Sequence, residues 1–266
     1  MYKAFYSLSR TPFSKEIRPE DAYVSSSFCE SMARLEYLKK TRGIGLLVGE
    51  PGAGKTFVLR SFAKSLNPAL FKVIYYPLST GTVMDFYRAL AYGLGEEPRT
   101  RKVDLFRQIQ NAVDLSFRER KVTPVFILDE MQMAKDLFLS DIGMLFNFQM
   151  DSENPFILIL AGLPYLRERL SLNHNRPLAQ RLVMRYKMEP MNKEEVAGYI
   201  EHHMKLAGAT YPVFQEAAIE AIASRTSGWP RLVNNLATHC LLYGFQMKKE
   251  QVDEEIVRIA AEEIGL

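Results

Sequence analysis

The chain has 266 residues, 47% of them hydrophobic and 24% charged, a globular composition that excludes a disordered or fibrous protein. That length holds one large α/β domain, alone or with a small helical one. A net charge of +3 is too mild to imply nucleic acid by itself, and no run approaches the ~20 apolar residues of a membrane span.

The N-terminus, Met1-Tyr2-Lys3-Ala4-Phe5, lacks the layout of a signal peptide, so a cytoplasmic location is expected. Cys29 and Cys240 have no metal-ligand spacing and read as small buried residues in a reducing compartment. The first strong element is the apolar run Ile44–Val48, a buried strand. It runs into Gly49-Glu50-Pro51-Gly52-Ala53-Gly54-Lys55-Thr56, and an amphipathic helix follows from Phe57 through Leu66. Strand, glycine loop and helix are the context in which G-x-x-x-x-G-K-[ST] becomes a phosphate-binding device. The glycines let backbone N–H groups close around phosphates, and the helix N-terminus favours anions. Lys55 is expected to reach the β- and γ-phosphates of ATP and Thr56 to ligate Mg²⁺, with Phe57 counted among the nucleotide contacts.

Four more short runs read as parallel strands: Val73–Tyr76, Val125–Leu128, Phe156–Leu160 and Arg185–Met188. Between them, Thr82-Val83-Met84-Asp85 fits a capping box opening a helix through Leu94. A further helix runs from Lys102 to about Arg118, with Val103, Phe106, Ile109, Gln110 and Val113 along one side. Alternating strands and helices predict an αβα sandwich around a five-stranded parallel sheet.

The strand Val125–Leu128 ends in Asp129-Glu130, the pattern of a Walker B element. Asp129 is expected to hold Mg²⁺, and Glu130 to orient and activate the attacking water. Gln132 lies just beyond and is a further candidate. The run through Leu160 ends in Gly162 and Leu163, at a strand end expected to face the γ-phosphate, where many ATPases of this build place a polar side chain to sense it. After it, Arg181, then Arg185 and then Arg176, are candidates to reach a neighbouring subunit's nucleotide; each is equally readable as an intramolecular salt bridge.

Beyond residue 190 the pattern is helical throughout, with Asn192-Lys193-Glu194-Glu195 as a second capping box and apolar spacing over Val196–Leu206, Ala217–Ser224, Leu232–Met247 and Glu254–Ile264. The domain reading is therefore residues 1–190 as the nucleotide-binding part, with an arm over about 1–25, and 191–266 as a helical lid. Gly228-Trp229-Pro230-Arg231 starts one lid helix, and Arg231 either touches the γ-phosphate or bridges the two domains. Charge is uneven: Arg99–Lys121 carries seven basic and three acidic residues, and Glu250–Leu266 six acidic and one basic. That polarity suits head-to-tail assembly or a one-sided anionic partner, and equally suits solvated helix faces of unlike sign.

With these motifs in order, the chain resembles an AAA+ ATPase of the ExeA-like group. The nearest members in pattern are the stand-alone transposition helpers, the IstB/TniB/TnsC-like proteins. The matching stretches are Pro12-Phe13, Arg42–Gly52, Leu78-Ser79-Thr80, Arg101–Phe106, Asn154-Pro155-Phe156 and Gly228–Arg231. Met131 and Leu163 depart from the group's usual Ala and Gln and put the hydrolysis rate in question. The resemblance implies an ATP- and Mg²⁺-dependent ring or filament on duplex DNA that recruits or stimulates a transposase, with no membrane partner. Arg99, Arg101 and Lys102 are the candidate DNA-backbone contacts. It also gives Tyr2, Phe5, Phe13 and Tyr23 two readings, an adenine-packing segment or an arm on the core. Two other functions stay open. One is a secretion-pathway ATPase, disfavoured by the expectation that such proteins continue into a membrane span and a further domain. The other is an ATP-gated platform with negligible turnover.

Overall fold

The computed structural model describes residues 2–77 and 82–266; the matching stretch Leu78-Ser79-Thr80 lies outside them. A single turn, α1 (Tyr2–Phe5), opens the chain, and α2 (Ser26–Thr41) leads to β1 (Gly43–Val48). Then come α3 (Lys55–Ser65), β2 (Phe71–Pro77), α4 (Val83–Leu94), α5 (Lys102–Arg118) and β3 (Thr123–Asp129). The α/β part closes with α6 (Asp136–Leu145), β4 (Ile157–Gly162), α7 (Tyr165–Leu170), α8 (Arg176–Gln180) and β5 (Leu182–Lys187). Four helices follow: α9 (Lys193–Leu206), α10 (Glu216–Thr226), α11 (Pro230–Gln246) and α12 (Glu254–Ile264).

The chain forms two units, one of residues 30–51 and 55–188, the other of residues 1–29, 52–54 and 189–266. In the first, five strands pair in parallel in the order β2-β3-β4-β1-β5. Every residue of β1 and β4 is buried, so both faces of the central sheet are covered, as a parallel αβα sandwich requires. Ile44, Leu46, Phe126, Leu128, Leu158 and Leu160 share one core with Phe86, Leu90, Ile109, Val113 and Ile142 from the helices. On the other face Gly45 leaves room for Leu38 of α2, whose Cδ2 a Cβ would meet at 2.5 Å. Register brings Val48 beside Gly162 and Leu128 beside Leu160, so the ends of β1, β3 and β4 finish level.

Both halves of the Thr82–Asp85 capping box form, and α4 ends on Gly95 in the left-handed conformation. α5 spans the expected residues but turns differently: Leu105, Ile109, Val113 and Ser116 are buried, whereas Val103 is exposed. Gln110 is not an apolar contact; its Nε2 donates to the carbonyls of Leu145 and Asn147. Cys240 is buried as expected, but Cys29 is exposed. On α2 the buried stripe runs Ser27, Ser31, Leu35, Leu38, and Cys29 sits off it.

In the second unit Asn192 and Glu195 complete the other capping box, and Pro230 occupies the first turn of α11. Tyr6, Leu8 and Phe13 are buried in the core formed by α9–α12, with Tyr2, Phe5 and Tyr23 packed against it. Tyr6 Oη donates to the Lys249 carbonyl at 3.0 Å, and Phe13 stacks on His203 with centroids 5.4 Å apart. The aromatic residues of the N-terminal segment are thus an arm on this helical core. Among the described residues no helix is long and apolar enough to cross a membrane.

Candidate nucleotide site

β1 ends at Val48 and hands the chain to a loop whose Gly52 and Gly54 have φ of +84° and +95°, the left-handed region open to glycine. The loop is tied to the sheet: Gly49 N donates to the Gly162 carbonyl at 3.2 Å. Lys55, the first residue of α3, is buried, and its Nζ donates to the carbonyls of Gly49 (2.7 Å) and Glu50 (3.0 Å). The ammonium is thereby held inside the turn of the loop, where an incoming phosphate supplies stronger acceptors than the two carbonyls. Gly52 itself packs with the helical unit: its carbonyl accepts from Arg231 N at 3.2 Å, and a Cβ there would lie 2.5 Å from Arg231 Cβ. Phe57 is half-buried on α3, under the Arg60 guanidinium at 5.2 Å.

Asp129, at the end of β3, is buried and receives three donors: Thr56 Oγ1 at 3.0 Å, Tyr75 Oη at 3.3 Å and Glu130 N at 2.9 Å. Hydroxyl and carboxylate so joined are the oxygen pair that a nucleotide-borne Mg²⁺ takes, and their chemistry fits that hard cation. Tyr75 on β2 was not singled out by its sequence, where it is one residue of an apolar run. Burial, with Asp129 adding repulsion, pushes its phenol up to about 12, so it stays a donor to the carboxylate.

The next residue, Glu130, is exposed and left-handed (φ 58°, ψ 31°), a conformation that costs a non-glycine residue on the order of 1 kcal/mol or more. Gln132 Nε2 donates to Glu130 Oε2 at 2.5 Å, and Gln132 Oε1 accepts from Leu163 N at 3.1 Å. Arg169, also missed in the sequence, donates to the carbonyls of Gln132 and Ala134 and pairs with Asp136 at 2.6 Å, fixing the segment after Glu130. Its signal was weak, one of two arginines on a short helix.

Two expected roles change. Arg181 turns inward: Nη1 donates to Gly143 O at 2.7 Å, Nη2 to Phe146 O at 2.6 Å, and it pairs with Asp151 at 2.6 Å. A guanidinium with all these partners is a structural clamp, not a free group for a neighbouring subunit. Arg185 is exposed, with one N–H on the Ala179 carbonyl, and Arg176 is exposed with no ion pair among the described residues. Lys102 likewise holds the buried Asp141, Nζ lying 2.7 and 2.8 Å from its two oxygens, whereas Arg99 and Arg101 are exposed.

A profile of the AAA domain matches residues 38–170, half of the chain. The whole chain is similar to General secretion pathway protein A of Aeromonas hydrophila, 28% identical over 268 residues, and spans 49% of that protein. Among solved structures, Cdc6p from Pyrobaculum aerophilum superposes with a TM-score of 0.72 at 16% identity, over 94% of this chain and 70% of that one. The Aeropyrum pernix ORC1 protein, in complex with DNA, gives 0.65 at 20% identity over 92% and 67%. The Thermotoga maritima RuvB branch-migration motor gives 0.59 at 20% identity over 89% and 67%. These likenesses establish the fold, an AAA+ α/β sheet with a helical part after it, and with half of its residues inside the AAA-domain match this chain belongs to the AAA domain family.

Proposed function

We propose that the chain hydrolyses ATP with Mg²⁺ and uses the nucleotide to control its own assembly. The observation that carries this is the meeting of Lys55, Thr56, Asp129 and Glu130 at the level ends of β1 and β3. Lys55 neutralises charge on the β- and γ-phosphates, and the loop amides hold them in place. Thr56 and Asp129 would hold Mg²⁺, which would supply further positive charge to the phosphate oxygens. Water attacks the γ-phosphorus, the bond to the ADP oxygen breaks, and Glu130 takes the proton the water gives up. With Arg181 committed, Arg176 is the arginine best suited to act on a neighbouring subunit's nucleotide, and Arg185 is second.

For the partner, we favour duplex DNA and a transposase, with a cytoplasmic ring or filament assembling on the DNA and dispersing on hydrolysis. Exposed Arg99 and Arg101 support a backbone contact without base readout, and one structural relative, the Aeropyrum pernix ORC1 protein, is in complex with DNA. The second reading, a secretion-pathway ATPase, draws equal support from the whole-chain similarity to General secretion pathway protein A. Steady-state hydrolysis and particle size, measured together with and without duplex DNA on wild type and Glu130→Gln, separate them. DNA-dependent large particles that Glu130→Gln traps support the transposition reading. A size and rate indifferent to DNA sink it.

A further inference from the structure

The end of β4 offers no polar side chain toward the nucleotide, because Gly162 and Leu163 stand there. The space above Gly162 is nevertheless filled by an amide. A Cβ on Gly162 would lie 2.7 Å from Gln132 Oε1 and 3.2 Å from Gln132 N. The amide is engaged at both ends, by Leu163 N at 3.1 Å and by Glu130 Oε2 at 2.5 Å. Its orientation follows from chemistry: an N–H can only donate, so the oxygen faces Leu163, and a carboxylate can only accept, so the NH₂ faces Glu130. The backbone carrying the amide is fixed in turn, since Arg169 donates to the Gln132 carbonyl at 3.2 Å.

We propose that Gln132 is the positioning residue for Glu130, a bridge that ties the water-activating carboxylate to the end of β4 in place of a polar side chain on that strand. The bridge requires glycine at 162. It occupies Oε2 and leaves the remaining lone pairs of Glu130 for water, fixing where they point. Through Leu163 N it also makes the carboxylate's position depend on β4, whose last carbonyl, at Gly162, accepts from Gly49 of the phosphate loop at 3.2 Å. One continuous path of hydrogen bonds therefore joins the start of the phosphate loop to the catalytic carboxylate. This inference rests on the hydrolytic reading above.

The test is ATP hydrolysis and ATP affinity for the full chain in wild type, Glu130→Gln, Gln132→Glu and Gly162→Ala. Gln132→Glu keeps the shape and the acceptor for Leu163 N but replaces the donor by a carboxylate that repels Glu130. A merely structural role would survive that change. Misplacing a catalytic group by an ångström costs roughly 100-fold, so kcat should fall roughly 10- to 100-fold in Gln132→Glu while ATP affinity and the melting midpoint hold. Gly162→Ala should reproduce the fall by driving the amide off Leu163. Combined with Gln132→Ala it should add less than about twofold, because both changes break one bridge. An unchanged or raised kcat in Gln132→Glu, or independent losses in the double variant, overturns the proposal. Turnover surviving in Glu130→Gln overturns instead the hydrolytic reading on which it rests.

Discussion

Thr56 Oγ1 donates to Asp129 Oδ2 across 3.0 Å, joining the first turn after the phosphate loop to the end of a strand 73 positions further along the chain. The second donor, Tyr75 Oη at 3.3 Å, comes from the neighbouring strand β2. Asp129 is thus a buried carboxylate held by donors from three directions. An oxygen donor set of this kind loses little entropy when Mg²⁺ arrives.

Lys55 is the first residue to change. Lys55→Ala removes a charge-assisted donor, and such a bond contributes about 1.5–3 kcal/mol. ATP affinity, read by isothermal titration, should weaken roughly 10- to 100-fold. Affinity equal to wild type would mean that phosphates bind elsewhere.

Arg181 and Arg176 should separate cleanly. Arg181→Ala strands the carbonyls of Gly143 and Phe146 and leaves Asp151 without its partner. It should cost about 3 kcal/mol of stability by urea unfolding. Arg176→Ala should leave the unfolding midpoint alone and lower only the hydrolysis that depends on assembly, seen as a loss of the rate increase with protein concentration.

The basic segment divides in the same way. Replacing Arg99 and Arg101 together should reduce the salt slope of duplex-DNA binding by about 2, as two phosphate contacts are lost. Lys102→Ala should instead lower stability, because it leaves the buried Asp141 carboxylate unpaired. The readouts are fluorescence anisotropy across a salt series and urea unfolding.

His203 gives the helical unit a pH dependence. It is buried between Phe13 and Tyr199, and burial first, with the charges of His202 and Arg10 adding, pulls its pKa down to about 4. The unfolded chain therefore takes up a proton, from about pH 6.5 downward, that the folded chain refuses. Stability from this residue is complete above that pH and is lost progressively down to about pH 4, by about 3 kcal/mol in all. Urea midpoints at pH 7 and pH 4.5 should differ more in wild type than in His203→Gln, since carboxylates such as Glu195 and Asp253 keep their own dependence in both. An equal difference in the two proteins would show that His203 takes up its proton in the folded chain as readily as in the unfolded one.

Gly244 marks where the N-terminal arm enters. A Cβ there would lie 2.1 Å from Tyr6 Oη. Gly244→Ala should therefore cost about 1–3 kcal/mol by overpacking, and Tyr6→Phe about 1 kcal/mol through the lost bond to Lys249. Unfolding monitored by circular dichroism reads both.

The parts legible in the sequence are those encoded locally. β1, the glycine loop and α3 are contiguous, and Asp129-Glu130 closes an apolar strand, so spacing alone brings them to one edge of a parallel sheet. Both capping boxes were readable for the same reason. Arg181 was not, because its partners at Gly143, Phe146 and Asp151 lie on elements 30 to 38 positions earlier and no periodicity reports a guanidinium turning inward. Lys102 misled similarly: within its own segment it is one of seven basic residues, and only the fold shows Asp141 beneath it. Gln132 was visible beside the acidic pair, but its bridge depends on Gly162 having no side chain.

The most direct test of the account is single-turnover ATP hydrolysis with Mg²⁺ by wild type and Glu130→Gln, alongside their ATP affinities. The account predicts equal affinity and a loss of turnover by orders of magnitude in Glu130→Gln. Comparable turnover in the two proteins would contradict it, because the water would then be activated by some group other than the carboxylate beside Asp129.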